Sequence, residues 1–196
     1  MRLITALVIV ALALTGCATF HKEPVAIEMK AELETAMARV EASGLYTHWC
    51  IWGGSCVVKP APVVFDSSDL PLAAVYAYDR GIVINMRAIR SYSATERLAV
   101  MAHEMGHWAL FHTYRTCDRD RPACEIAADA ASVDMLVIGW GQEREAAVEL
   151  VHLRLAHHAI RYRNVDTSKY GHDTRRELLA FRARFGCTGR KTCYGA

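Results

Sequence analysis

From residue 24 the chain reads PVAIEMKAELETAMARVEASG, with apolar Ile27, Met29, Leu33, Met37 and Val40 at helical spacing. Pro24 stands at its start and Gly44 past its end, so the pattern predicts an amphipathic helix whose apolar stripe faces a core. Its acidic residues, Glu28, Glu32, Glu34 and Glu41, argue against that stripe lying on an anionic membrane surface. The next stretch, THWCIWGGSCVVKPAPVVF, carries β-branched residues broken by Pro60 and Pro62, which predicts a pinned loop followed by an edge or irregular strand. Trp49 and Trp52 within it read as packing residues, with the lining of a cleft as the alternative. Two β-type runs, Ala74 to Tyr78 and Ile82 to Asn85, flank Asp79-Arg80-Gly81 and predict a hairpin.

The helical period returns at Ala94, opened by Ser93 and Glu96 at capping-box spacing, and is predicted to run to about His112. TYRTCDRDRPAC is a polar loop, and EIAADAASVDMLVIGW is helical again, with Pro122 tolerated in the first turn. Further helices are predicted at about Arg144 to Arg161 and Thr174 to Phe185. The whole predicts an α+β fold, mainly α, with a small β-hairpin or sheet ahead of the second long helix.

Charge excludes one class of partner: 23 Lys and Arg stand against 21 Asp and Glu, a balance that gives no footprint for nucleic acid. The first residues, MRLITALVIVALALTGC, place Arg2 before an apolar run from Leu3 to Leu14. That run is too short for a membrane span, which needs about 20 apolar residues, and its make-up is that of an export signal. LTGC, Leu14 to Cys17, resembles the lipobox of bacterial lipoproteins, which implies cleavage before Cys17 and lipidation of that cysteine. Residues 1–16 are then a signal peptide, 17–23 a lipidated tether, and 24–196 a single domain with room for a real core. Ala18, where Asp would retain such a protein in the inner membrane, implies the outer membrane, with the domain facing the periplasm.

Six cysteines remain, in three close pairs: Cys50 and Cys56, Cys117 and Cys124, Cys187 and Cys193. In an oxidising compartment an even set at short spacings reads as three local disulfides that shape loops. A thiolate zinc site is the rival, but no C-x-x-C pair occurs.

The candidate chemistry lies in MAHEMGHWALFH. His103 and His107 are four residues apart, about 40° around a helix, so they point the same way and can grip one metal ion. Glu104, next to the first histidine, occupies the general-base position of H-E-x-x-H, a pattern that predicts one Zn2+ per chain. His112 lies five residues past His107, about 140° around, and cannot join them while the helix continues. The third ligand should come from another helix, where Glu125 and Asp129 share a face; Asp129 is placed to accept the outward N–H of a liganding histidine. A Cys117–Cys124 bridge would secure the loop that delivers Glu125.

These residues carry a resemblance. YAYDRGIVINMRAIRSYSATERLAVMAHEMGHWAL followed by EIAADAASVDML resembles the gluzincin metallopeptidases, above all the HtpX and CAAX-prenyl-protease-like family, with H-E-x-G-H on one helix and E-x-x-A-D on the next. The resemblance implies a zincin-like domain that hydrolyses peptide bonds in a protein or peptide substrate, with Glu104 as base and an oxyanion partner still to be found. YGHDTRRELLAFRARF resembles the family's closing H-P-x-x-x-x-R region, with Asp173 in place of the proline; His172 is the first candidate for that partner, with Tyr170 and Arg176 beside it. An extended substrate is expected to add as a strand near Ile82 to Asn85. A second resemblance, to ImmA/IrrE-type peptidases, rests on the short chain between the two motifs. The competing class is a non-catalytic, zinc-stabilised lipoprotein acting as a binding or chaperone-like envelope factor.

Overall fold

In the computed structural model, which describes residues 23–49, 54–66, 74–75, 81–111, 117, 121–164, 172–187 and 193, helix α1 spans Pro24–Ser43. Gly44 stops it in the left-handed conformation, φ 65°, donating its N–H to the Glu41 carbonyl. The buried stripe is Ala26, Met29, Leu33, Ala36, Met37 and Val40. Ile27 was expected on that stripe but is 56% exposed, because one residue's rotation carries it off the face that Ala26 occupies.

Strands β1, Thr47–Trp49, and β2, Ser55–Val57, pair antiparallel across the first cysteine loop. Strand β3, Val63–Asp66, lies at the edge of a second sheet, as the prolines before it predict. That sheet has the order β3-β5-β4, with β4 at Ala74–Val75 and β5 at Ile82–Asn85. Strands β4 and β5 are the antiparallel pair expected of the hairpin, whereas β3 joins β5 in parallel. Strand β5 is therefore flanked on both sides and buried along its length. A substrate cannot add to Ile82–Asn85 as expected from the sequence; among the described residues the outer strands of this sheet are β3 and β4, and β4 is the one packed on the motif helix.

After the short helix α2, Met86–Ile89, the motif helix α3 runs Ala94–Ala109. Ser93 and Glu96 form the expected capping box. The helix ends three residues sooner than predicted, at Leu110, and Phe111 takes a positive φ of 56°. Helices α4, Arg121–Trp140, α5, Arg144–Arg161, and α6, Thr174–Phe185, complete the chain order. The core is shared by α1, α3, α4, α5 and β5, and Trp108 of α3 ties in the segment after β2 by donating to the Lys59 carbonyl at 2.9 Å.

The Cys117–Cys124 and Cys187–Cys193 disulfides are present. The signal peptide with Cys17, the Cys50–Cys56 pairing, Trp52, the Trp49 side chain, His112 and Tyr170 lie outside the described residues. Among the described residues no helix is long and apolar enough to cross a membrane.

Candidate metal centre

Helices α3 and α4 meet backbone to backbone. A Cβ placed on Gly106 would stand 2.5 Å from the Ala128 carbonyl oxygen, so only glycine fits this crossing. Gly106 follows His103 by three residues and precedes His107 by one, while Ala128 falls between Glu125 and Asp129. The close approach therefore sets the two histidines of α3 against the two carboxylates of α4.

The resulting arrangement is a triangle of donor atoms. His103 Nε2 and His107 Nε2 are 3.1 Å apart, and each lies 3.1 Å from Glu125 Oε2. Ligands about 2.0–2.1 Å from a tetrahedral zinc are separated by about 3.3 Å, so the triangle is close to one face of that tetrahedron. Electrostatics point the same way. Burial and the Arg154 charge oppose a proton on His103, yet Asp129 and Glu125 outweigh them and raise its pKa to about 10. Burial likewise opposes a charge on Glu125, but His107, His103 and His172 hold its carboxyl well below the usual carboxylate range. Two buried imidazoles and a half-buried carboxylate that together call for positive charge fit a divalent cation, and this is a donor set that zinc takes.

Glu104 follows His103 on α3 and is buried, 5% exposed, and its carboxylate makes no hydrogen bond or ion pair among the described residues. His103 is oriented from behind: its Nδ1 lies 2.8 Å from Asp129 Oδ1. This contact takes the Nδ1 proton, so that in the neutral ring, the form that binds a metal, the Nε2 lone pair faces the triangle.

Sequence reasoning missed Arg154. This arginine of α5 is buried, 6% exposed, donates through Nη2 to Asp129 Oδ1, and brings the same nitrogen to 3.2 Å from His103 Nδ1. A signal was available, since Arg154 falls on the apolar stripe of Ala147, Val151, Leu155 and His158, where a charged residue needs a buried partner.

His172 is brought to the centre by the start of α6. Its Nδ1 lies 3.6 Å from Glu125 Oε2 and 3.3 Å from Glu177 Oε1. Asp173, the departure from the family's proline, caps α6 by accepting the Arg176 N–H at 3.0 Å, while its own N–H donates to Glu177 at 2.8 Å. Burial opposes a charge on His172, but Glu177 and Glu125 raise its pKa above the ordinary value. Arg176 is exposed.

A second group, Glu149, His152 and Cys193, also lies within metal-ligand spacing. Cys193 Sγ is taken by the disulfide and offers no thiolate, its N–H donates to Glu149, and Arg182 Nε donates to His152 Nε2 at 3.1 Å.

No curated protein and no solved structure matches the chain. Residues 58–121 match the model of Peptidase family M48, so over a stretch that includes His103, Glu104 and His107 and stops short of Glu125, the chain is similar to a family of metallopeptidases.

Proposed function

We propose that the protein is a zinc-dependent endopeptidase of the gluzincin type, a zincin-like domain exported and held by a lipid on Cys17 at the outer membrane, facing the periplasm. The observation that carries the reading is the 3.1 Å triangle of His103, His107 and Glu125, with Glu104 next to His103 in the chain. The match to Peptidase family M48 supports peptide hydrolysis. The lipobox-like LTGC and the two disulfides support an exported, oxidising setting.

His103, His107 and Glu125 would hold the ion, which supplies Lewis acidity to the oxygens of the reaction. Glu104, next to His103 in the chain and without a side-chain partner among the described residues, takes the proton of the attacking water and returns it to the leaving amine. Asp129 keeps the His103 ring in the ligating tautomer. His172, with its pKa raised, stands as a hydrogen-bond donor on the Glu125 side of the site, where it can meet the developing oxyanion. An extended peptide would reach the site along β4, the outer strand of the described sheet next to the motif helix.

The test is Glu104→Gln, read on unfolded protein and fluorogenic peptides. Loss of the base is expected to lower hydrolysis by about 10²–10⁴-fold while one zinc per chain is retained. Undiminished hydrolysis in this variant overturns the catalytic reading. A wild type that binds zinc and protein but hydrolyses neither substrate favours the binding lipoprotein.

A further inference from the structure

A cavity of about 310 Å³ opens between the start of α3 and the C-terminal half of α5. Arg154 lines it and also touches Asp129 and approaches His103, so one side chain borders both the cavity and the metal centre. We propose that this cavity binds a small carboxylate carrying an aromatic or branched apolar group, and that its occupation tightens metal binding through Arg154.

Two cations and an apolar wall argue for such a ligand. Arg161, at the last turn of α5, lies with its guanidinium 5.5 Å from the centre of the Tyr92 ring, which fixes it over the cavity by a cation–π contact. Arg154 borders the cavity as well, its charge held beside it by the pairing with Asp129. A carboxylate has the charge and the planar geometry that guanidinium groups prefer. Tyr92, Val100 and Ile160 supply the apolar surface. At the low end of the volumes ligand pockets occupy, roughly 300–1,000 Å³, the space takes one ring or branched chain rather than a peptide.

Two lining groups bear on the sign of the charge. Glu96 is the carboxylate among them, but its Oε2 is turned to Ser93, whose N–H and Oγ–H both donate to it, at 2.8 and 2.9 Å. Its other oxygen lies 3.9 Å from His157 Nδ1. His158 is buried, and burial together with the Arg154 charge holds its pKa well below the ordinary value, so it is neutral and does not repel an acid's apolar part.

The coupling follows from charge. Arg154 places a positive charge 3.2 Å from His103 Nδ1, which works against a cation on that ring. A carboxylate in the cavity offsets this charge while Nη2 remains on Asp129, so the ligand and the metal each favour the other. The coupling rests on the metal reading above; the anion site itself does not.

The experiment titrates benzoate and, as its uncharged counterpart, benzamide into the full chain by calorimetry, in chelator so that a bound metal cannot hold the carboxylate. Benzoate is expected to bind roughly tenfold or more tightly than benzamide and to lose about tenfold in Arg161→Gln, as removal of a charge-assisted pair predicts. Zinc affinity, from chelator competition, should then rise several-fold with saturating benzoate in the wild type and not in Arg161→Gln. Equal binding of the two probes, no benzoate binding, or an Arg161→Gln variant that binds benzoate unchanged overturns the site. Asp129 Oδ2 is buried without a partner, and Arg154 closing on it through both nitrogens would give the second of these outcomes. Benzoate binding with no change in zinc affinity overturns the coupling. Absence of zinc binding without benzoate marks the failure of the metal reading instead.

Discussion

Asp129 Oδ1 serves two partners at once, the imidazole that faces the metal triangle and the guanidinium of Arg154. Its two roles separate by substitution. Asp129→Asn removes the charge that both partners use, so zinc affinity is expected to fall by about 10–100-fold, as for other carboxylates behind metal-bound histidines. It also leaves Arg154 buried and uncompensated, at about 3–5 kcal/mol of stability. In Asp129→Asn/Arg154→Met both charges are gone, so most of the stability should return while zinc affinity stays low. Denaturant midpoints and chelator competition on the four members of the cycle check this. Parallel recovery of both quantities would show that Asp129 acts on the metal only by holding the fold. At this scale the sequence disclosed the residues whose chemistry is local: H-E-x-x-H on one helix, Glu125 and Asp129 on one face of the next. Arg154 stayed hidden because its role depends on a partner 25 residues away, and its buried position shows only once α5 has been packed.

The element that makes the centre possible is the α3–α4 crossing. Gly106→Ala puts a Cβ against the Ala128 carbonyl, which is backbone and cannot turn aside, so the helices must separate. Overpacking of this kind costs about 1–3 kcal/mol. The separation also widens the gap between His103, His107 and Glu125, so Gly106→Ala is expected to lower both Tm and zinc affinity. A variant that melts as the wild type and keeps its zinc would mean that the crossing does not set the ligand spacing. Element bounds were legible where caps are local: Pro24 and Gly44 bracket α1, Ser93 and Glu96 open α3, and α5 and α6 run over the expected residues. The end of α3 was not, because the turn at Leu110 and Phe111 carries no glycine or proline to announce it. Nor was the parallel pairing of β3 with β5, since a non-local pairing leaves no trace in the periodicity of either strand.

At the scale of the molecule the centre ties together four parts of the chain: α3, α4, α5 through Arg154, and His172 ahead of α6. Such a centre makes zinc binding part of the stability of the whole domain. A ligand that binds only the folded state stabilises it by RT ln(1 + [L]/Kd), about 2.7 kcal/mol at a hundredfold excess over Kd. In a domain of this size each kcal/mol moves Tm by about 2–4 °C, so chelation is expected to lower it by roughly 5–10 °C. The same shift should appear in Glu104→Gln, because that side chain is no part of the donor triangle. In His107→Ala it should vanish, because one of the three donors is gone. Scanning calorimetry of the three proteins, each with zinc and with chelator, separates the contributions. A shift that persists in His107→Ala would place the stabilising ion elsewhere, and a shift lost in Glu104→Gln would make that carboxylate a ligand rather than the base.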